Sequence, residues 1–413
     1  KRKLHHYDKD YQSYKVDIRG EDRFLGYEEL NLQKPITRNY TSEYLYHKLQ
    51  KEIGNIALDY SFVNLSTNGT SNGVYAIEES VAKELIERHN KRFGPIINTE
   101  DSTGEIFPEH TFEARDFKYW TKNNPELLKN VFSILNNFRE EKNNYENSFN
   151  WKKWANFFAV NDLLGSYHGA LSSSVNYYYN PTNGKIEPIG RDAHVGAGNF
   201  DNFIILDFVT AEKVNCSWVC PNKEWFIRFF YKKDKSFREE FLLEYLKTLK
   251  YLTEEKFIDK FFENHADEID LINDAIYAEF SKVDKISWKG LAPYVFSKEN
   301  IYNRSKMIKD KISLYDNFSN NEVEQFVPKI SLSKNYLYYD ATSKKFPIKI
   351  KIQCDENKNI YTLYAIGKFK KKFENCKNLN SAIILSDLEG NSINVDTKNN
   401  FETLYFNKIF DYT

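Results

Sequence analysis

Residues 161–194, NDLLGSYHGALSSSVNYYYNPTNGKIEPIGRDAH, decide how this chain is read. Just upstream, Trp151, Trp154, Phe157, Phe158 and Leu164 recur close to helical spacing, which predicts a helix over 151–164 that runs into a loop. After the loop, residues 175–179 (VNYYY) read as an aromatic-rich strand, 180–184 (NPTNG) as a turn and 185–189 as the return strand, ending at Gly190-Arg191-Asp192. A hairpin therefore carries Asn176 at its entry and Asp192 at its exit. Asp192 stands just before a glycine-bearing loop, 195–198 (VGAG), where a carboxylate can reach a magnesium ion. Magnesium favours one or two carboxylates plus substrate oxygens. The competing reading is an Asp that caps a turn, and for Asn176 one that bonds its own backbone.

Upstream, residues 14–79 read as strand, loop, strand, helix, strand, strand. Residues 16–20 form a short strand closing on Gly20, and residues 29–32 a second. Thr41, Ser42 and Glu43 supply capping hydroxyls and an early acid for a helix that Gly54 ends. Residues 60–65 and 73–77 pair around an Asn-Gly turn. Residues 80–91 predict a charged, solvent-facing helix, 98–109 a polar stretch and 125–141 a further helix. From about 223 to 317 the chain is helical, with Phe241, Leu242, Tyr245, Leu246 and Leu249 at helical spacing. Near Asn320 the texture changes. Residues 346–352, 360–366, 382–385 and 401–406 read as strands of a small β-sandwich-like domain.

Set in order, NLQKPITRNY (31–40), FVNLSTNG (62–69), GVYAIEE (73–79), NDLLG (161–165) and IEPI (186–189) before Asp192 make the chain resemble the CotH family of atypical protein kinases, known from spore-coat proteins. Any one piece alone is weak; their order across about two hundred residues carries the resemblance. It implies an α+β, two-lobed atypical protein-kinase-like fold: residues 1–79 as the small lobe, 80–320 as an insertion and a helical large lobe with catalytic loop and metal Asp, and 321–413 as the C-terminal β domain. It further implies ATP and Mg²⁺ or Mn²⁺ as cofactors and a Ser or Thr hydroxyl of a protein as acceptor. Asn176 and Asp192 would hold the metal.

The remaining roles follow from the resemblance residue by residue. An Arg stands in the family's first piece, so Arg38 is the candidate cation on the nucleotide phosphates, whose oxygens a guanidinium fork matches. Glu43 would orient it; the alternative is a surface ion pair at a helix start. Arg19, before Gly20, would lie over the nucleotide, although no G-x-G-x-x-G loop is present. Glu78 and Glu79 fall where the adenine-binding hinge belongs, and either touches the ribose or faces solvent. Asp162 reads as a catalytic-loop acid with a structural role or a direct one. The base departs from the pattern. Six residues after Asp162, where better-known members carry a second Asp, this chain has His168. An imidazole suits proton abstraction near neutrality, and it equally suits a silent scaffold of a coat or surface assembly. Asn176 and Asp192 favour the kinase. A third option, a carbohydrate-active or adhesive protein, leans only on the C-terminal domain, and fold alone does not give function.

Composition sets outer bounds. The 413 residues suffice for two or three domains and a large core. With 58 Lys+Arg against 59 Asp+Glu, a net charge of -1 gives no global preference for nucleic acid or an acidic membrane. The run Lys368-Phe369-Lys370-Lys371-Lys372 reads as a solvated strand end or turn. The 29 Tyr and 32 Phe are spread along the chain, as in well-filled cores rather than a base-stacking platform. Cys216, Cys220, Cys354 and Cys376 are too few for a disulfide scaffold. Cys216 and Cys220 lack the partners of a zinc set and read as idle thiols or a local disulfide. No apolar run is long enough to span a membrane. The opening Lys1-Arg2-Lys3 and the single Met307 read as a processed or excised fragment with its targeting segment upstream, in keeping with export to a surface or coat.

Overall fold

A computed structural model describes residues 12–20, 22–100, 111–142, 145–193, 204–210, 223–233, 237–280 and 298–313, and the backbone of six strands beyond residue 328. The structure is mixed α+β. Its first part contains β1 (Tyr14–Asp17), β2 (Glu29–Gln33), α1 (Ser42–Glu52), β3 (Tyr60–Thr67) and β4 (Thr70–Glu79), the predicted order. The strands form an antiparallel sheet, β1-β2-β4-β3. Asn68 and Gly69 join β3 to β4 with φ of 51° and 80°, the doubly left-handed turn that Asn-Gly tolerates. Most of α1 is buried, polar Glu43 and His47 included, so it is a core helix. The expected Thr41 cap does not form. The helix start is packed against the end of the later hairpin, and the Ser42 hydroxyl donates there, to the Ala193 carbonyl at 3.3 Å.

Next come α2 (Lys83–Arg88), β5 (Ile96–Glu100), β6 (Thr111–Ala114), α3 (Phe117–Asn123), α4 (Pro125–Arg139), α5 (Trp151–Leu164), β7 (Val175–Asn180) and β8 (Lys185–Gly190). The predicted helix over 80–91 shrinks to six residues. The polar stretch from Asn98 begins as a strand rather than as irregular chain. Ile96 and Ile97 pair with Tyr178 and Tyr177, giving an antiparallel sheet β6-β5-β7-β8. Polar composition hid it: Asn98, Thr99 and Glu100 make up most of the strand, and Thr99 is buried and donates to the Ser172 carbonyl at 2.9 Å.

In α5 only Lys152, Lys153 and Asn156 escape full burial, the mark of a helix enclosed on every side. Enclosing it are α1, β8, the start of α6 (Ile205–Thr210), α7 (Lys223–Phe230), α8 (Glu239–Leu252) and α11 (Lys298–Ile312), while α9 (Glu255–Asn264) packs on α8 and α11 and α10 (Ala266–Phe280) on β4. Aromatic rings fill the centre. The Trp154 and Trp225 rings each lie 4.7 Å from that of Phe229, and the five α8 residues at helical spacing are fully buried. Truncating such a ring to Ala costs about 3–5 kcal/mol.

Beyond residue 328, β9 (Lys329–Ser333), β10 (Tyr336–Ala341), β11 (Ile348–Cys354), β12 (Asn357–Leu363), β13 (Gly367–Lys372) and β14 (Ile383–Ser386) form two three-stranded antiparallel sheets, β13-β10-β9 and β12-β11-β14. The lysine run 368–372 lies within a strand rather than at a turn. The strand expected at 401–406, the loop 195–198 and Cys216, Cys220 and Cys376 lie outside the described residues. No helix among the described residues is long and apolar enough to cross a membrane.

Candidate functional site

The β7–β8 hairpin sets Asn176 opposite Ile189 and Val175 opposite Gly190. A Cβ on Gly190 would overlap the Tyr46 hydroxyl and the Phe157 ring, so a glycine is needed where α1 and α5 close on the hairpin exit. Two residues on, Asp192 has φ of 58°, a left-handed conformation that turns the chain out of the strand. The turn is fastened to the start of α1: Ala193 N donates to Glu43 Oε2 at 2.7 Å. Asn39 and Tyr40, just before α1, also have positive φ, 51° and 57°. Such strained residues persist where surrounding contacts over-determine them and cluster at functional sites.

Arg38 ends the 3-10 turn Pro35–Arg38 and points between these pieces. Its Nε lies 2.9 Å from Asp192 Oδ1 and 3.9 Å from Glu43 Oε2. The closer contact lacks hydrogen-bond alignment at Nε and is an ion pair. Glu43 Oε1 lies 3.4 Å from His47 Nε2. Glu78, on β4, accepts from Gln33 Nε2 at 2.6 Å and from Asn31 Nδ2 at 3.4 Å. Arg38, Glu43 and Glu78 are 6%, 0% and 8% exposed. Arg38–Glu43 is therefore a buried contact, not a surface pair, and neither Glu78 nor Glu79 faces solvent.

Burial pulls the Arg38 guanidinium down, but the charges of Asp192, Glu43 and Glu78 outweigh it and hold its pKa above the ordinary arginine value. Burial and then the Glu43 charge push Glu78 up to about 7, against the pull of Arg38 and His47. Three carboxylates thus share one guanidinium, and among the described residues no group of three or more His, Cys, Asp or Glu side chains is arranged to hold a metal ion.

His168 sits on the 3-10 turn Tyr167–Ala170. Its Nδ1 is 2.9 Å from the Asp192 carbonyl oxygen and 3.6 Å from Asp192 Oδ2, with Ser174 Oγ at 3.4 Å. A carbonyl only accepts, so this bond assigns the hydrogen to Nδ1 and the lone pair to Nε2. Nε2 is then the nitrogen able to take a proton.

Asp162 has a different setting. It is fully buried and accepts from Tyr167 at 3.0 Å, from Ile205 N at 2.9 Å and from the Tyr245 hydroxyl. Arg304 donates to the Asp162 carbonyl and, at 2.7 Å, to the Tyr167 hydroxyl. Burial pushes Asp162 up to about 7 despite those donors. Its contacts tie α5, α8, α11 and the start of α6 to the turn that bears His168. Asn176 is also fully buried. Its Oδ1 accepts from Arg115 Nε at 3.2 Å, and its Nδ2 has no hydrogen-bond partner. Arg19 is exposed after β1 and shares none of the cluster's contacts.

Of the residues named from sequence, the fold gathers Arg38, Glu43, Glu78, His168 and Asp192 into one charged cluster, and leaves Asp162, Asn176 and Arg19 outside it. His47, Arg115, Tyr245 and Arg304, not named from sequence, contact these residues. His47 was within reach, because Glu43 and His47 have the i, i+4 spacing of paired side chains on a helix. Arg304 is 142 residues from its partner, and no local pattern signals it.

A profile of the family described as CotH kinase protein matches residues 5–318. This chain belongs to the CotH kinase family. No curated protein matches it. The CotH match runs from before β1 to beyond α11 and takes in every residue of the charged cluster.

Proposed function

We propose that this CotH-family protein is an ATP-dependent phosphotransferase acting on Ser or Thr of a protein partner, with a two-lobed kinase-like arrangement of residues 1–79 and 80–320 and a separate β-sandwich-like domain after 321. The observation that carries the reading is the Arg38–Asp192 contact of 2.9 Å with His168 against the same aspartate. On this reading Asp192, a part-exposed carboxylate, would hold the metal of a metal-nucleotide, Asn176 would join it only by giving up its bond from Arg115, and Glu43 and Glu78 deepen the negative field. Bound Mg²⁺ or Mn²⁺ would supply charge neutralisation at the phosphates. Arg38 binds phosphate oxygens, Glu43 orients Arg38, Asp162 holds the loop, and His168 Nε2 takes the acceptor's proton. Positioning and electrostatics carry such chemistry. Arg19 and the ribose contact of Glu78 belong to the same reading.

The experiment is calorimetric titration of ATP with Mg²⁺ against wild type and Asp192→Ala, with and without EDTA. The reading expects tight, metal-dependent binding that Asp192→Ala abolishes; equal affinities for the metal-nucleotide would end it. The second reading is a silent scaffold of a coat or surface assembly, favoured by His168 standing where an Asp is usual. A protein that binds nucleotide and transfers no phosphate supports that one.

A further inference from the structure

Away from the charged cluster, the structure has a cavity of about 610 Å³ between α2, the chain after it, the α3–α4 junction and the β7–β8 turn. Its size suits a bound side chain or small ligand. Gly94 shapes it: a Cβ there would collide with the Tyr179 carbonyl and Pro181, so the backbone lies flat against the turn. Phe93, Tyr119 and Trp120 form an aromatic trio with ring centres 5.0–5.7 Å apart. Trp120 is the floor, 5% exposed. Tyr119, which lines the cavity, is 49% exposed. An aromatic wall open to solvent offers large apolar contact area with a polar tip.

The rim is basic. Lys83, Lys91 and Arg92 line the cavity against the single acid Glu87. Lys83 pairs with Glu87 at 3.4 Å and Lys91 with Glu187 at 2.9 Å. Arg92 is exposed and has no ion pair among the described residues. Asn124 Oδ1 caps α4 through Leu127 N at 3.2 Å, which leaves its amide N–H groups to donate elsewhere.

We infer that this cavity docks an extended acidic segment of a partner protein, an aromatic or proline side chain entering the trio, a carboxylate meeting Arg92 and the Asn124 amide bonding a main-chain carbonyl. The surplus cation selects an acidic partner, and the aromatic walls demand an apolar side chain beside the acid. Asn176 and Pro181 are five residues apart along β7 and its turn, about 17 Å at strand rise. A segment docked here is thus separate from the Asp192 cluster and on the same hairpin. That it belongs to the acceptor protein rests on the kinase reading; the docking itself does not.

The test uses the whole chain and fluorescence anisotropy of a fluorescein-labelled octapeptide alternating Glu with Tyr and Pro. Controls are its Lys-for-Glu counterpart and 4-hydroxyphenylacetate as competitor. The acidic peptide should bind, weaken with added salt, and lose about tenfold or more in affinity in Arg92→Glu and in Tyr119→Ala, both exposed positions. Asp192→Ala should leave it unchanged, which separates this outcome from that of the nucleotide titration. The inference is overturned by no binding, by binding indifferent to both substitutions, or by equal binding of the Lys peptide. Displacement by 4-hydroxyphenylacetate at concentrations equal to the peptide would also overturn it, as a small aromatic acid would then be the occupant.

Discussion

Replacing Arg38 by Met keeps the length of the side chain and removes its charge, and the surroundings set the size of the result. Glu43 is fully buried, Glu78 is 8% exposed, and Asp192 faces the guanidinium at 2.9 Å. Removing one partner from a buried charged group costs about 3–5 kcal/mol, because the other is left uncompensated. That loss is expected at pH 8, where Glu78 is ionised. Glu78 has its folded pKa raised from 4.5 to about 7, so its contribution is fully present below about 4.5 and is lost as pH rises through 7. Without Arg38 the raise grows, and the fall in stability extends to higher pH. At pH 5 Glu78 is neutral, and the loss should shrink to about 1.5–3 kcal/mol, the worth of the remaining charged contacts. Urea unfolding followed by circular dichroism at both pH values measures it, with Arg38→Lys, which keeps the charge, expected in between. A loss below about 1 kcal/mol and equal at pH 5 and 8 would show that the carboxylates do not depend on Arg38.

Asp162→Asn removes a titration. With the Asp162 pKa raised from 3.8 to about 7, wild type loses roughly 4 kcal/mol of stability as pH rises from 4 to 7, at about 1.4 kcal/mol per pH unit, and the variant lacks that loss; parallel unfolding free energies across this window would refute the assignment. Gly190→Ala forces Tyr46 and Phe157 apart and should lower stability by about 1–3 kcal/mol, read as a drop in Tm; an unchanged Tm would mean that α1 yields at no cost. His168→Ala should slow transfer of labelled phosphate by about 10²-fold or more while leaving ATP affinity in place, and a full-rate variant would remove His168 as the base.

Much of the fold was legible because its signals are local. The α5 helix, the β7–β8 hairpin and the Asn-Gly turn of β3–β4 each lie within one short window, where periodicity and turn chemistry speak directly. The strand β5 is hidden in the sequence because three of its five residues, Asn98, Thr99 and Glu100, are polar, and its pairing with β7 is set some 80 residues downstream. Candidate site residues were legible one at a time, but their environment was not. For Arg38 and Glu43 the alternative to a role at the phosphates is a surface pair, because charged residues at a helix start usually face solvent. The fold buries them by bringing Ala193 onto the first turn of α1, a contact spanning 150 residues. Asp162 shows the converse: its place in a helix is readable, while Tyr245 and Arg304, which decide its role, arrive from α8 and α11.

The geometry also gives a reason for histidine at position 168. In this fold the residue faces Asp192 directly, its Nδ1 3.6 Å from the carboxylate. A second aspartate would put two carboxylates side by side, in a cluster where Glu43 and Glu78 already share a single guanidinium, and like charges at such range oppose each other's ionisation. An imidazole instead donates from Nδ1 to the Asp192 carbonyl and keeps Nε2 as acceptor. Histidine here adds no carboxylate to the cluster and needs no extra cation to hold it in place. His168→Asp would add a fourth carboxylate to the cluster, which makes that variant less stable without metal and more dependent on it. It is therefore a probe of charge balance as much as of base identity.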